Sequence, residues 1–182
     1  MPNRLTKIFT RTGDEGYTSL SDVRLSKDDL IIEALGNIDE LNSAIGFIIA
    51  MRPQNEDVEN YLTQIQQDLF DFGAEMHIPE RIAITPEKVL WLESQLERLN
   101  KTLPPLKEFL LPRGNPPSAA CHLARTVCRR AERSLVKLHR QVTLNNPEML
   151  RYVNRLSDLL FVTARILAKV SREEELMWEK DR

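Results

Sequence analysis

Four arginines and one glutamate lie within residues 124–133, a stretch whose apolar spacing is that of a helix. At about 100° per residue, one side of this helix carries Arg125, Arg129, Glu132 and Arg133. Arginines stacked four and eight residues apart repel one another unless an anion or a carboxylate compensates their charge. The pattern therefore indicates a polyphosphate or a carboxylate of another chain as the partner, with a solvated basic face as the ordinary alternative.

The apolar residues of the same helix recur at three- and four-residue steps and define its opposite side. They are Ala120, Leu123, Val127, Ala131, Leu135 and Leu138. We therefore expect this side to face the core and the arginines to point away from it.

A second candidate for phosphate chemistry is the segment 10–19, which contains Gly13 and Gly16, two of only six glycines in the chain. Glycine lets backbone N–H groups approach a ligand closely, and the neighbouring hydroxyls and Arg11 supply further donors. No Gly-Lys-Ser/Thr sequence follows, so this is not a Walker loop. An ordinary turn is the alternative.

These residues are positioned by five predicted helices, which span residues 26–51, 57–76, 86–103, 118–141 and 148–174. Ser26 is the predicted N-cap of the first helix, and Pro86 occupies the first position of the third. Residues 1–25 are not helical in pattern, although 5–9 could be extended. The apolar stripe of the fifth helix is Val153, Leu156, Leu160, Ala164 and Leu167.

The predicted fold is all-α, a five-helix bundle with a four-helix up-down core plus one helix, preceded by an irregular N-terminal loop. The length of 182 residues is that of one domain, with the loop at 1–25 and the bundle at 26–178.

Composition excludes several classes of function. A net charge of −2 and a pI near 6.0 argue against a general nucleic-acid binder. No apolar run is long enough to span a membrane and no signal peptide is visible, so we expect a cytoplasmic protein. Cys121 and Cys128 lie about 10 Å apart along one predicted helix, too far for a disulfide, and are expected to be reduced and buried.

Four blocks in this order, at residues 10–19, 36–46, 109–133 and 152–161, resemble the PduO-type ATP:cob(I)alamin adenosyltransferases. The resemblance extends from about residue 3 to residue 178. Its most specific parts are the arginine helix and the sequence Asn-Arg-Leu-Ser-Asp at 154–158.

The resemblance implies transfer of the 5′-deoxyadenosyl group of ATP to the cobalt of cob(I)alamin, giving adenosylcobalamin and triphosphate. It implies a homotrimer with ATP and corrinoid at the subunit interfaces, and Mg²⁺ with the nucleotide. We expect no metal-ligating side chains, because His77 and His139 have no partners at metal-ligand spacing in the sequence. A cobalamin reductase and an adenosylcobalamin-dependent client enzyme are possible protein partners.

The resemblance also assigns roles to residues. The N-terminal loop that wraps the nucleotide matches Thr10, Arg11, Thr12, Gly13, Thr18 and Ser19, and Lys27 matches a lysine that reaches the phosphates. The remaining ATP contacts match Arg129, Arg130, Glu132, Arg133 and Asn154. Asp39 matches a carboxylate that pairs with Arg125 of the adjoining subunit. Phe109 matches an aromatic residue that displaces the lower nitrogen ligand of cob(II)alamin, so that the four-coordinate cobalt is easier to reduce.

For three other residues, a structural role competes with a role in the site. His122 is either ligand-facing or hydrogen-bonded between helices. Asp158 and Arg165 could belong to an interhelical ion-pair network instead of the site. We rank that structural role first for Arg165 and rank the two roles equally for Asp158.

Two other classes of function stay open at this stage. One is a nucleotide-binding module that delivers adenosylcobalamin to a client without turnover, and the other is a purely structural helical bundle.

Overall fold

The structure, a computed structural model, describes residues 9–78, 80–142, 144–171 and 175–180. Its elements in chain order are β1 (Tyr17–Leu20), β2 (Val23–Ser26), α1 (Leu30–Ala50), α2 (Glu56–His77), α3 (Pro86–Asn100), α4 (Pro116–Gln141) and α5 (Glu148–Val170). The prediction of an all-α bundle of five helices is confirmed.

The helix starts follow the capping chemistry of the sequence. Asp29 caps α1 by accepting a hydrogen bond from the Ile31 N–H at 3.0 Å, and Asn115 caps α4 in the same way from Ser118 at 2.9 Å. The prediction that Ser26 caps the first helix is wrong, because Ser26 ends β2 and its hydroxyl donates to the Asp28 carboxylate.

The other helix limits differ modestly from the predicted ones. The third helix ends at Asn100, three residues early, and the fourth begins at Pro116, since proline is accommodated in a first helical turn. The fifth ends at Val170, and positions 172–174 of its predicted extension lie outside the described residues.

The N-terminal segment is more regular than predicted. Strands β1 and β2 form an antiparallel hairpin in which Tyr17 faces Ser26 and Leu20 faces Val23. The connection is Ser21-Asp22, with Ser21 at a positive φ of 51°. This pair is a weaker turn signal than Asn-Gly, which is why the sequence did not predict a hairpin. Of the stretch 5–9 expected to be extended, residues 5–8 lie outside the described residues.

Helix α4 packs against both α1 and α5, while α2 packs on α1 and α3 packs on α5. Helix α5 lies deepest, and all five residues of its predicted apolar stripe are buried. On α2, Phe72 packs against Tyr152 of α5 with ring centroids 6.5 Å apart. Within the described residues, no helix combines the length and apolar character that crossing a membrane requires. Helices α4 and α5 share the most extensive helix-helix contact, and charged residues of both, among them Arg129 and Asp158, line one cavity.

Candidate functional site

The apolar side of α4 is buried as predicted, with one exception. Ala120, Val127 and Ala131 face the core, but Leu123 is 58% exposed. The buried positions of that turn are taken by Cys121 and His122 instead. The prediction for Leu123 is therefore wrong, and an apolar side chain lies on the outer surface of the arginine helix.

Arg125 is half-buried at the edge of the arginine side. Its buried Nε atom has no hydrogen-bond partner among the described residues. Burial and the neighbouring charge of Arg129 both lower the pKa of the Arg125 guanidinium. A buried donor without an acceptor is costly, so this position calls for an acceptor from outside the described chain.

Arg129 and Arg133 are exposed on the outer side of α4. Neither forms an ion pair with a carboxylate in the described part of the chain. Their spacing of four residues places their like charges one turn apart. Within the described residues, the chain therefore supplies no carboxylate that compensates this pair of charges.

Arg130 behaves differently, because its own chain neutralises it. Its guanidinium pairs with the Glu40 carboxylate of α1, and its Nε donates to Asn37 Oδ1 at 3.3 Å. The neighbouring Asp39 is exposed and has no ion pair within the described residues.

Glu132 belongs to a polar network that joins three helices. It accepts a 2.9 Å hydrogen bond from Asn154 Nδ2, and Asn154 Oδ1 accepts one of 2.5 Å from Arg155. Arg155 also pairs with Glu93 of α3 at 2.7 Å. Glu132 and Asn154 were predicted site residues, whereas Arg155 and Glu93 were missed. The position of Arg155 beside Asn154 was the only signal for it.

A cavity of about 570 Å³ opens beside Arg125 and Arg129, between α4, α5 and the loop that follows α3. Its polar lining includes Asp158 and Arg165, and its apolar lining includes Leu103, Pro104, Leu106 and Phe161. Burial raises the pKa of the Asp158 carboxyl, although the charges of Arg155 and Arg129 oppose the shift. The sequence did not reveal this apolar wall, because such residues resemble ordinary core.

The structure brings the glycine loop and Lys27 together. Lys27 Nζ donates to the Gly13 carbonyl at 2.7 Å, and the Lys27 backbone N–H donates to the Gly16 carbonyl at 2.8 Å. Gly16 has a φ of +82°, a conformation that favours glycine. A Cβ atom added to Gly13 would lie 3.0 Å from Lys27 Nζ, so a side chain at this position would displace the end of Lys27.

The remaining predicted loop residues flank this turn. The hydroxyls of Thr10 and Thr12 are 2.8 Å apart, and Arg24 donates to the Thr12 carbonyl at 2.8 Å. The Arg11 guanidinium lies over the Phe9 ring, 5.8 Å from its centroid. Thr18 and Ser19 are neighbours on β1, so their side chains point to opposite faces of the hairpin.

Phe109 lies on the loop before α4 and is 76% exposed. Its carbonyl accepts a 2.7 Å hydrogen bond from the Trp178 N–H. A phenylalanine with a fixed backbone and a bare ring is unusual for a packing residue. The ring is available to a flat apolar ligand.

Arg165 forms an ion pair, but its partner is not Asp158. Its Nε lies 2.6 Å from Glu175 Oε1, and its Nη2 donates to the Pro104 carbonyl at 2.7 Å. The ion pair that we expected for Arg165 is therefore present, although its partner lies after α5 and not on another helix. Asp158 and Arg165 do not pair with each other. The residues are seven apart on one helix, about 10 Å along its axis, whereas Glu175 folds back from beyond α5.

His122 is buried with its ring edge toward Phe161, at a centroid distance of 6.1 Å. Its Nδ1 atom has no hydrogen-bond partner among the described residues. Burial and the charge of Arg125 lower the pKa of this imidazole to about 4, against an opposing effect of Glu175.

A pH-dependent loss of stability follows from His122. Between about pH 6.5 and pH 4 the unfolded chain binds a proton at this imidazole that the folded chain does not, so the free energy of unfolding falls as the pH falls. We expect His122→Gln to remove about 2–3 kcal/mol of that loss, measured by urea unfolding at pH 4.5 and 7.5. At pH 7.5 His122 is neutral in both the folded and the unfolded chain, so the stability at that pH is the reference. An identical pH slope in the variant would contradict this assignment.

Comparison with known proteins gives one consistent result. The family profile described as cobalamin adenosyltransferase matches residues 8–167. The chain is 47% identical to a cobalamin adenosyltransferase of Cupriavidus metallidurans, over 100% of this chain and 99% of that protein. It is 40% identical to a corrinoid adenosyltransferase of Bacillus subtilis, over 96% and 93%.

Solved structures agree with these sequence relatives. A PduO-type ATP:corrinoid adenosyltransferase from Lactobacillus reuteri, a phenylalanine-to-alanine variant complexed with cobalamin and ATP, superposes with a TM-score of 0.87. The two proteins are 32% identical, and the match covers 96% of this chain and all of that one. An arginine-to-lysine variant complexed with ATP gives a TM-score of 0.85 at 32% identity, over 94% of this chain and all of that one.

Proposed function

The chain belongs to the cobalamin adenosyltransferase family and transfers the adenosyl group of ATP to the cobalt of a corrinoid, and we propose that its nucleotide site is completed between subunits. The reaction forms a bond between cobalt and the 5′ carbon while the bond from that carbon to triphosphate breaks. The corrinoid supplies the nucleophile, so the protein has to align the two substrates and stabilise the leaving triphosphate. As a transferase, the chain is not a purely structural bundle.

The observation that carries the proposal is the uncompensated charge on α4. Arg129 and Arg133 have no carboxylate partner in the described chain, and they would contact the triphosphate. Their donors are fixed on a rigid helix and stabilise the charge that develops as triphosphate leaves. Arg130, Glu132 and Asn154 complete this set in our proposal, with the Asn154 network holding Glu132 in place.

The N-terminal loop would close over the same nucleotide. Lys27 already lies against the Gly13 carbonyl, so a short movement of its Nζ atom would carry its charge to a phosphate. Backbone N–H groups of the glycine turn and the hydroxyls of Thr10, Thr12, Thr18 and Ser19 would donate beside it, with Arg11 as a further cation.

A second subunit would supply the missing partner of Arg125. The exposed Asp39 has no ion pair among the described residues of its own chain, and the Arg125 Nε has no acceptor there. On the same two packed helices, Phe47 and Leu123 are 50% and 58% exposed, as residues of an interface would be. We propose a homotrimer in which Asp39 of one subunit pairs with Arg125 of the next.

Phe109 would act on the corrinoid. Its exposed ring would occupy the lower face of cob(II)alamin and displace the lower nitrogen ligand, so that the cobalt accepts an electron more readily. Its rigid backbone and bare ring support this role. Arg125 and Arg129 would act with it by holding the nucleotide, and Asp39 by holding Arg125.

Mg²⁺ would enter with the nucleotide. In the described part of the chain, no group of three or more His, Cys, Asp or Glu residues could hold a metal ion. Phosphate oxygens and water suit Mg²⁺ better than a cage of protein ligands. When bound, the ion would neutralise charge on the triphosphate beside Arg129 and Arg133.

We also propose a cytoplasmic location, a reductase that supplies the electron and a client enzyme that receives the product. Cys121 and Cys128 are free and buried, as their separation along one helix predicts.

An anaerobic assay tests the activity. Incubation with ATP, Mg²⁺ and chemically reduced cobalamin should yield adenosylcobalamin and triphosphate in equal amounts. ATP at 100 times its dissociation constant should raise the free energy of unfolding by about 2.7 kcal/mol. Binding of ATP and adenosylcobalamin without any conversion would instead support a module that only delivers the cofactor.

A further inference from the structure

The backbone of Phe109 is held by the end of the chain. Residues 175–178, here called the C-terminal strap, run antiparallel to residues 109–111. The Trp178 N–H donates to the Phe109 carbonyl at 2.7 Å, and the Leu111 N–H donates to the Leu176 carbonyl at 2.9 Å. Leu110 and Met177 form the bridge between them. Phe109 is therefore positioned by a two-stranded contact rather than by its own loop alone.

The C-terminal strap is in turn held by Arg165 of α5. This side chain is only 3% exposed and contacts both carboxylate oxygens of Glu175, with Nε at 2.6 Å and Nη2 at 3.0 Å. Two parallel bonds between a guanidinium and a carboxylate fix orientation as well as distance. Leu176 and Trp178 are 41% and 45% exposed, so the strap buries little apolar surface. The attachment of the strap thus depends strongly on this ion pair.

Arg165 also reaches the cavity beside the arginines. Its Nη2 donates to the Pro104 carbonyl at 2.7 Å, and Pro104 lines that cavity together with Arg125 and Arg129. One buried guanidinium therefore connects the cavity wall to the strap that holds Phe109. The contact with the cavity wall goes to a backbone carbonyl, whereas the contact with the strap goes to the Glu175 carboxylate, so Glu175→Gln alters only the second.

We infer that Arg165 and Glu175 are positioning residues for the corrinoid step, which set the place of Phe109 through the C-terminal strap. This inference rests on the proposed role of Phe109. Because the ion pair contacts the strap and not the outer arginine face, it should govern the use of cob(II)alamin more than the binding of ATP.

The first test measures the attachment without any substrate. Hydrogen exchange at the amides of Leu111 and Trp178 should be at least about tenfold faster in Glu175→Gln and in Arg165→Met than in the wild type. The matched control is Arg151→Met, which removes an exposed arginine from its pair with Glu148 on the same helix and should leave these amides unchanged. Equal exchange in all proteins would overturn the inference. If Arg165→Met does not fold, the exchange rates measured in the more conservative Glu175→Gln decide the test.

The second test separates positioning from general damage. With ATP and a reductant, both variants should convert cob(II)alamin about tenfold more slowly and show less of the four-coordinate cob(II)alamin spectrum. With preformed cob(I)alamin, which needs no ligand displacement, the change should stay within about twofold. Equal losses with both corrinoids, or no loss with either, would overturn the inference.

Phe109→Ala, assayed in parallel, distinguishes failure of the proposed role of Phe109 from failure of the positioning role of Arg165 and Glu175. If Phe109→Ala keeps full activity on cob(II)alamin, the proposed role of Phe109 fails. If Phe109→Ala loses that activity while Glu175→Gln and Arg165→Met keep it, only the positioning role fails.

Discussion

Phe109→Ala should lower the conversion of cob(II)alamin under reducing conditions at least about 100-fold, equivalent to roughly 2.7 kcal/mol in the barrier. The loss is expected because alanine cannot occupy the lower face of the corrinoid, so the nitrogen ligand stays on cobalt and reduction becomes harder. The affinity for ATP should change by less than about threefold, since Phe109 does not line the cavity beside Arg125 and Arg129. Turnover and equilibrium binding of ATP measure the two quantities.

Phe70→Ala is the matched control, because Phe70 is 70% exposed on α2 and outside the proposed site. It removes the same ring from the surface and should leave turnover unchanged. Wild-type turnover of cob(II)alamin by Phe109→Ala would remove Phe109 from the mechanism.

Asp39→Asn and Arg125→Ala should each lower kcat/KM at least about 100-fold and weaken the trimer. Removing one partner of a desolvated ion pair leaves the other charge buried without compensation, at a cost of about 3–5 kcal/mol. Steady-state kinetics and sedimentation at low protein concentration measure both effects. Glu97→Gln, the same kind of charge change at an exposed position of α3, should alter neither. A native trimer with native turnover in Asp39→Asn would refute the role of this carboxylate.

Much of the bundle was predictable because its helices are strongly amphipathic. The apolar stripe of α5 repeats with the helical period and is buried throughout, and prolines mark the starts of α3 and α4. The errors are local. Ser26 resembles an N-cap, but Asp29 competes for that role and prevails because the hairpin occupies Ser26.

Parts of the candidate site could not be predicted, since they depend on contacts between distant segments. Glu175 meets Arg165 only because the chain turns back after α5, and the C-terminal strap meets Phe109 across more than sixty residues. The lack of an acceptor for the Arg125 Nε atom was equally unpredictable from the sequence. Its sequence position indicated an outward cation, whereas the buried Nε without an acceptor is a property of the fold. The family resemblance supplied the matching residues, and the structure supplies the reason for the positions of Lys27 and Asn154.

The central claim is that each nucleotide site is built from two subunits, and mixing two inactive variants tests it most directly. Asp39→Asn and Arg125→Ala subunits, unfolded and refolded together in equal amounts, should form trimers in which about a quarter of the interfaces carry both native residues. Activity should then rise from the low level of either variant to roughly a quarter of the wild-type value. A mixture no more active than the average of its two parents, under conditions where mass spectrometry of the intact trimers shows mixed species, would contradict the claim.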